Sequence, residues 1–92
     1  MNEATRPVIL LVEEDREELE ALRRALGRRL DADYQIVTET QPECGLSVLR
    51  QLRERHGQVA VIIAAQQMQR MAAEQFLERA HELHPLAGRA LI

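Results

Sequence analysis

Apolar and polar positions fall in blocks whose period changes along the chain. Five apolar residues, Val8–Val12, run unbroken and stop at three acids, Glu13, Glu14 and Asp15. An unbroken β-branched and leucine run of this length suits a strand buried on both faces, as in a parallel sheet. From there Leu19, Leu22, Leu26 and Leu30 recur at helical spacing, predicting an amphipathic helix over Arg16–Leu30. Asp15 is placed to cap it, with Glu18 three residues on as the capping-box partner. The other face carries Glu17, Glu20, Arg23, Arg24 and Arg28, which read as a solvated face with helical ion pairs such as Glu20 with Arg24.

After a turn at 31–33, residues 34–38 alternate and are β-branched, predicting a second strand nearer a sheet edge. Thr40 and Glu43 repeat the capping-box spacing, and Pro42 falls in a first helical turn, where it is tolerated. The helix that follows turns Leu46, Leu49 and Leu52 inward and ends near His56-Gly57, with Gly57 as its stop. Residues 59–65 are apolar throughout and predict a central strand; 66–71 form a loop. A third helix spans 72–84, with Ala73, Phe76, Ala80 and Leu83 on one face and Pro85 and Gly88 ending it, and 89–92 begin a fourth strand. Residues 1–7 read as a polar, frayed lead-in. The order is βαβαβαβ, an α/β chain with a parallel sheet, right-handed crossovers and helices on both faces.

Composition narrows the reading. Ninety-two residues make one domain, covering 1–92, and a chain this short buries only about 60–65% of its unfolded surface. Hydrophobic content of 46% with 29% charged residues is that of a soluble globular chain. The aromatics are Tyr34 and Phe76, which argues against stacking on nucleic acid bases. All twelve basic residues are Arg; residues 1–46 carry eleven acids against six Arg, for −5, and 47–92 four acids against six Arg, for +2. Neither half has the dense basic cluster of a nucleic acid binder. A single cysteine, Cys44, forms no intrachain disulfide. The longest apolar run is too short to span a membrane, so a cytoplasmic protein is expected.

In order along the chain, Val-Ile-Leu-Leu-Val-Glu-Glu-Asp, Val-Ile-Ile-Ala-Ala-Gln-Gln-Met-Gln-Arg-Met, Glu-Gln-Phe-Leu-Glu-Arg-Ala, His-Pro and Arg-Ala-Leu-Ile resemble the receiver domain of bacterial two-component response regulators, a flavodoxin-like, CheY-like doubly wound fold. The resemblance covers nearly the whole chain. It implies a phospho-accepting Asp at the end of the third strand, beside a Mg²⁺ held by acids after the first strand and by a backbone carbonyl two residues past the acceptor. On this sequence the acid pair falls on Glu13 and Glu14, the carbonyl on Gln67, and the acceptor position on Ala65. Alanine has no nucleophile, and Gln69 and Arg70 stand where the resemblance expects Pro-Gly. A pseudo-receiver is therefore implied: not an enzyme, no cofactor beyond a residual Mg²⁺ site, and a phosphorelay partner such as a histidine kinase, an output domain or a second copy in a homodimer, with neither nucleic acid nor membrane. The family also continues past the fourth strand, so the chain reads as a receiver lacking its last third, incomplete at its C-terminus.

Two alternatives stay open. One is an active receiver using Glu14 or Asp15 as an atypical acceptor. The other is the N-terminal regulatory part of a larger output protein such as a flavin-dependent oxidoreductase, although no Gly-x-Gly-x-x-Gly occurs here. The acidic group also reads as a simple helix-capping turn. His81 and His84, one turn apart, read as a solvent-facing helix end, Met68 and Met71 as filling the core edge, and Cys44 as a small half-buried residue.

Overall fold

A computed structural model describes residues 6–92; the predicted frayed lead-in lies mostly outside them. The elements are β1 (Val8–Val12), α1 (Arg16–Leu30), β2 (Gln35–Glu39), α2 (Pro42–Glu54), β3 (Val59–Ala64), α3 (Ala73–Leu83) and β4 (Gly88–Leu91). The four strands form one parallel sheet in the order β2-β1-β3-β4. Both continuous apolar runs, β1 and β3, take the interior places. The alternating β2 and the short β4 take the edges, as their patterns require.

Successive strand residues point to opposite faces, and the two faces are covered differently. Leu10, Val12, Ile62 and Ala64 join Leu46 and Leu49 of α2 and Ala73, Phe76, Leu77 and Ala80 of α3 in the main core cluster. Ile9, Leu11 and Leu19 are also buried but lie outside that cluster, on the α1 side. Gly45 lets α2 approach the sheet closely: a Cβ there would sit 3.0 Å from Val12 Cγ2 and 3.3 Å from Phe76 Cε1.

Local corrections to the sequence reading have definite causes. Gln41, not Thr40, is the N-cap of α2, and it makes no side-chain cap bond. Pro42 takes the first helical position, and the residue before a proline is held extended, here at φ −116 and ψ 128. At the other end of α2 the left-handed residue is His56, at φ 58, rather than Gly57. The Gly57 N–H closes on the Leu52 carbonyl at 2.7 Å, and a Cβ on Gly57 would lie 2.9 Å from Leu52 Cδ2. On α1 the recorded ion pair is Arg23 with Asp31, at 3.0 Å, instead of Glu20 with Arg24; the carboxylate just past the helix end meets the Arg23 guanidinium in two parallel bonds.

Candidate functional site

Because all strands run the same way, their carboxyl ends gather at one rim. There the Ala65 N–H donates to the Val12 carbonyl at 3.0 Å and the Ile92 N–H to the Ala64 carbonyl at 3.0 Å. An open cleft of about 680 Å³ lies at this rim, its lining including Glu13, Glu14, Asp15, Ala65, Gln67 and Gln69. The crevice at the strand ends of an open parallel sheet is where such folds build their sites. All four site positions expected from the sequence, Glu13, Glu14, Ala65 and Gln67, come together in it.

Each of the three acids is engaged by backbone N–H groups. Asp15 caps α1 as expected, its Oδ1 accepting from the Glu18 N–H at 3.1 Å. The reciprocal half of the capping box does not form through Glu18; Glu13 Oε1 instead accepts from the Asp15 N–H at 3.0 Å. Glu14 reaches across the cleft to the loop between β3 and α3. Its Oε1 accepts from the Gln69 N–H at 2.8 Å and its Oε2 from the Arg70 N–H at 3.0 Å. These two bonds, Gln69 first, hold the Glu14 carboxyl below its ordinary value, with a further contribution from the Arg70 charge.

The donor chemistry decides how the site suits a Mg²⁺ ion, which requires near-octahedral oxygens directed at one point. Both Glu14 oxygens point at loop N–H groups, one Glu13 oxygen is turned to its own loop, and Ala65 supplies no side-chain oxygen. Among the described residues no group of three or more His, Cys, Asp or Glu side chains is arranged to hold a metal ion. As placed, these residues do not fit the cation that the resemblance implies.

Outside the cleft, the histidine reading needs correction. His84 Nε2 lies 2.8 Å from the Leu49 carbonyl oxygen in a part-buried contact between α3 and α2. His81 Nδ1 is buried without a hydrogen-bond partner. Helix–helix packing brings this end of α3 against α2, so it is not a solvated helix end. Cys44 is exposed rather than half-buried, because it sits on the outer side of the first turn of α2, its thiol 3.9 Å from Gln41 Oε1. Met68 is buried in the core cluster and Met71 packs against it, so these two fill the core edge as read. The feature that sequence reasoning missed is the pair of Glu14 bonds to the loop. The available signal was the non-proline residue at 69, whose N–H a proline could not supply.

No protein-family model matches this sequence. No curated protein matches it either. Solved structures do. An uncharacterized protein from Neptuniibacter caesariensis superposes with a TM-score of 0.76 at 27% identity, over 92% of this chain and 57% of that one. The signal receiver domain of an HD domain-containing protein from Pseudomonas fluorescens Pf-5 gives 0.74 at 24% identity, over 99% of this chain and 61% of that one. A response regulator receiver domain protein from Clostridium thermocellum gives 0.74 at 15% identity, over 92% and 63%. The chain thus spans about three fifths of the length of the structures it matches. Element order, sheet order and these superpositions agree with one another, and the chain has the response regulator receiver fold, flavodoxin-like, through its fourth strand.

Proposed function

We propose that this receiver-like domain is a pseudo-receiver, one that accepts no phosphoryl group and acts by binding a protein partner in two-component signalling. The observation that carries the reading is Ala65. It sits at the end of β3, in the cleft and only 4% exposed, where phosphoryl transfer to an enzyme carboxylate would need the carboxylate. No acid lies anywhere in 59–71. Glu14 and Asp15, the alternative acceptors, are both hydrogen-bonded to backbone N–H groups, which lowers their nucleophilicity and fixes their direction. The partner class is a protein: a kinase, an output domain or a second copy. The exposed Leu86, Leu91 and Ile92 on the β4 side offer it apolar contact. The same reading holds whether the domain stands alone or leads a larger output protein. No described helix is long and apolar enough to cross a membrane.

The test is incubation with a small-molecule phosphodonor and Mg²⁺ followed by intact-mass measurement. The expected result is an unchanged mass. A stable phosphate adduct would overturn the reading, and its loss on Glu14→Gln or Asp15→Asn would name the acceptor.

A further inference from the structure

We propose that Glu14 is a built-in clasp for the loop between β3 and α3, holding that loop in one conformation without any metal or phosphoryl group at the cleft. This rests on the pseudo-receiver reading and adds to it how the cleft is kept in a fixed state. The observation is geometric. A carboxylate placed by the end of β1 spans the cleft and takes two consecutive backbone N–H groups, Gln69 at 2.8 Å and Arg70 at 3.0 Å, one on each oxygen. These residues lie fifty-five and fifty-six positions away in sequence, so the contact ties two elements that local structure would leave independent. The two-pronged form matters. A carboxylate meeting two parallel donors fixes orientation as well as distance, and charge-assisted bonds are about twice as strong as neutral ones.

Several features of the sequence serve the clasp together. Gln69 supplies an N–H that proline could not. Glu14 has the extra methylene, relative to aspartate, that carries its oxygens across the cleft. Glu13, by contrast, is turned back onto the Asp15 N–H, so the two neighbouring glutamates have separate tasks. Met68, just before the clasped residues, is buried in the core, and Met71, just after them, packs against it. The loop is therefore pinned from below by apolar contact and from above by Glu14. A divalent cation entering the cleft would have to draw Glu14 off the loop, so cation binding and the clasp compete for the same two oxygens.

The test is amide hydrogen exchange and amide chemical shifts by NMR on the whole chain. Glu14→Ala should speed exchange at the Gln69 and Arg70 amides by about fivefold or more, the loss expected for a charge-assisted bond near the surface. Glu14→Gln, which keeps one acceptor oxygen, should fall between. Sheet amides of β1 and β3 should stay unchanged in both, and Glu13→Gln should leave the Gln69 and Arg70 amides unchanged. Millimolar Mg²⁺ should leave the wild-type spectrum unmoved. A double variant, Ala65→Asp with Glu14→Asp, restores a second carboxylate and shortens the first beyond reach of the loop; it should gain Mg²⁺-dependent shifts around the cleft, whereas Ala65→Asp alone should respond more weakly. Unchanged exchange at Gln69 and Arg70 in Glu14→Ala would overturn the clasp. So would Mg²⁺ titrating those two amides in the wild type. Neither result depends on the mass test above, so the clasp and the pseudo-receiver reading can fail separately.

Discussion

The two faces of the sheet are built on different terms. On the side of α2 and α3, Phe76, Leu49, Leu10 and Ile62 are wholly buried in a continuous apolar cluster. On the side of α1, one helix covers β1 and β2; of its four inward leucines only Leu19 is buried, while Leu22, Leu26 and Leu30 stay half-exposed. The inner strand β3 shows the same contrast within itself, with Ile62 and Ala64 buried and Val61 and Ile63 half-covered. The first face holds the fold by a continuous buried cluster, and the second by the shallower packing of α1 on β1 and β2 plus polar bonds at its ends. Most of the chain's stability therefore sits on the α2–α3 face, and paired truncations test this. Phe76→Ala removes an aromatic ring from a site with no exposed surface and should cost about 3–5 kcal/mol. That is a large share of the about 5–14 kcal/mol expected for a chain of this size. Leu22→Ala, on the half-covered face, should cost about 1 kcal/mol. Urea denaturation of both variants measures the pair; equal losses would mean that α1 is as deeply seated as α3, and the contrast between the faces would fall.

The helix starts sharpen the same contrast at smaller energy. On the α1 side Asp15 makes a side-chain cap bond to the Glu18 N–H, whereas α2 begins with Gln41 and no such bond. Asp15→Ala should therefore destabilise by about 1 kcal/mol, and Thr40→Ala should stay within about 0.5 kcal/mol of wild type. Thermal unfolding of the two variants decides it. A loss at Thr40 equal to that at Asp15 would restore the capping box that the spacing suggests and the backbone before Pro42 does not form.

What could be read in advance followed from periodicity, and what could not followed from cross-chain contact. The apolar runs at 8–12 and 59–65 placed both interior strands. The leucine spacing placed α1 within its observed bounds, and the face formed by Ala73, Phe76, Ala80 and Leu83 was legible from the sequence, the first three buried and Leu83 partly buried against the core. The element order then limited the fold to a parallel sheet with its crevice at the strand ends, and the resemblance to receiver domains pointed to Glu13, Glu14, Ala65 and Gln67, which the structure brings into one cleft. The destination of the Glu14 carboxylate could not be read, because its partners are backbone groups of a distant loop, and backbone N–H groups leave no trace in side-chain identity. The same holds for the His84 contact with the Leu49 carbonyl. Thr40 misled for a different reason: its spacing to Glu43 is correct, but the proline between them moves the cap by one residue.

Glu14 links the two faces, since it rises from β1, which α1 covers, and holds the loop that leads into α3. Its protonation gives the smallest and most local of the expected effects. The carboxyl is held below its ordinary value of 4.5 by the Gln69 and Arg70 N–H bonds, with Arg70's charge acting the same way. Glu13, Asp15 and Glu18 line the same cleft; the opposing influence on Glu14 is burial, which disfavours its charged form. A folded value below the unfolded one means the folded state binds the proton less readily. The contribution of these bonds is therefore fully present above pH 4.5 and is lost as the pH falls through the lowered folded value. The group lies near the surface and solvent screens it, so the global loss on acidification should be smaller than that of Asp15→Ala. The local signature is sharper: the Gln69 and Arg70 amide resonances should shift together in an acid titration with a midpoint below 4.5, and Glu14→Gln should abolish that joint shift. A common midpoint at or above the ordinary value of 4.5, or a shift that persists in Glu14→Gln, would detach the loop from Glu14 and leave the two faces joined by β1 and β3 alone.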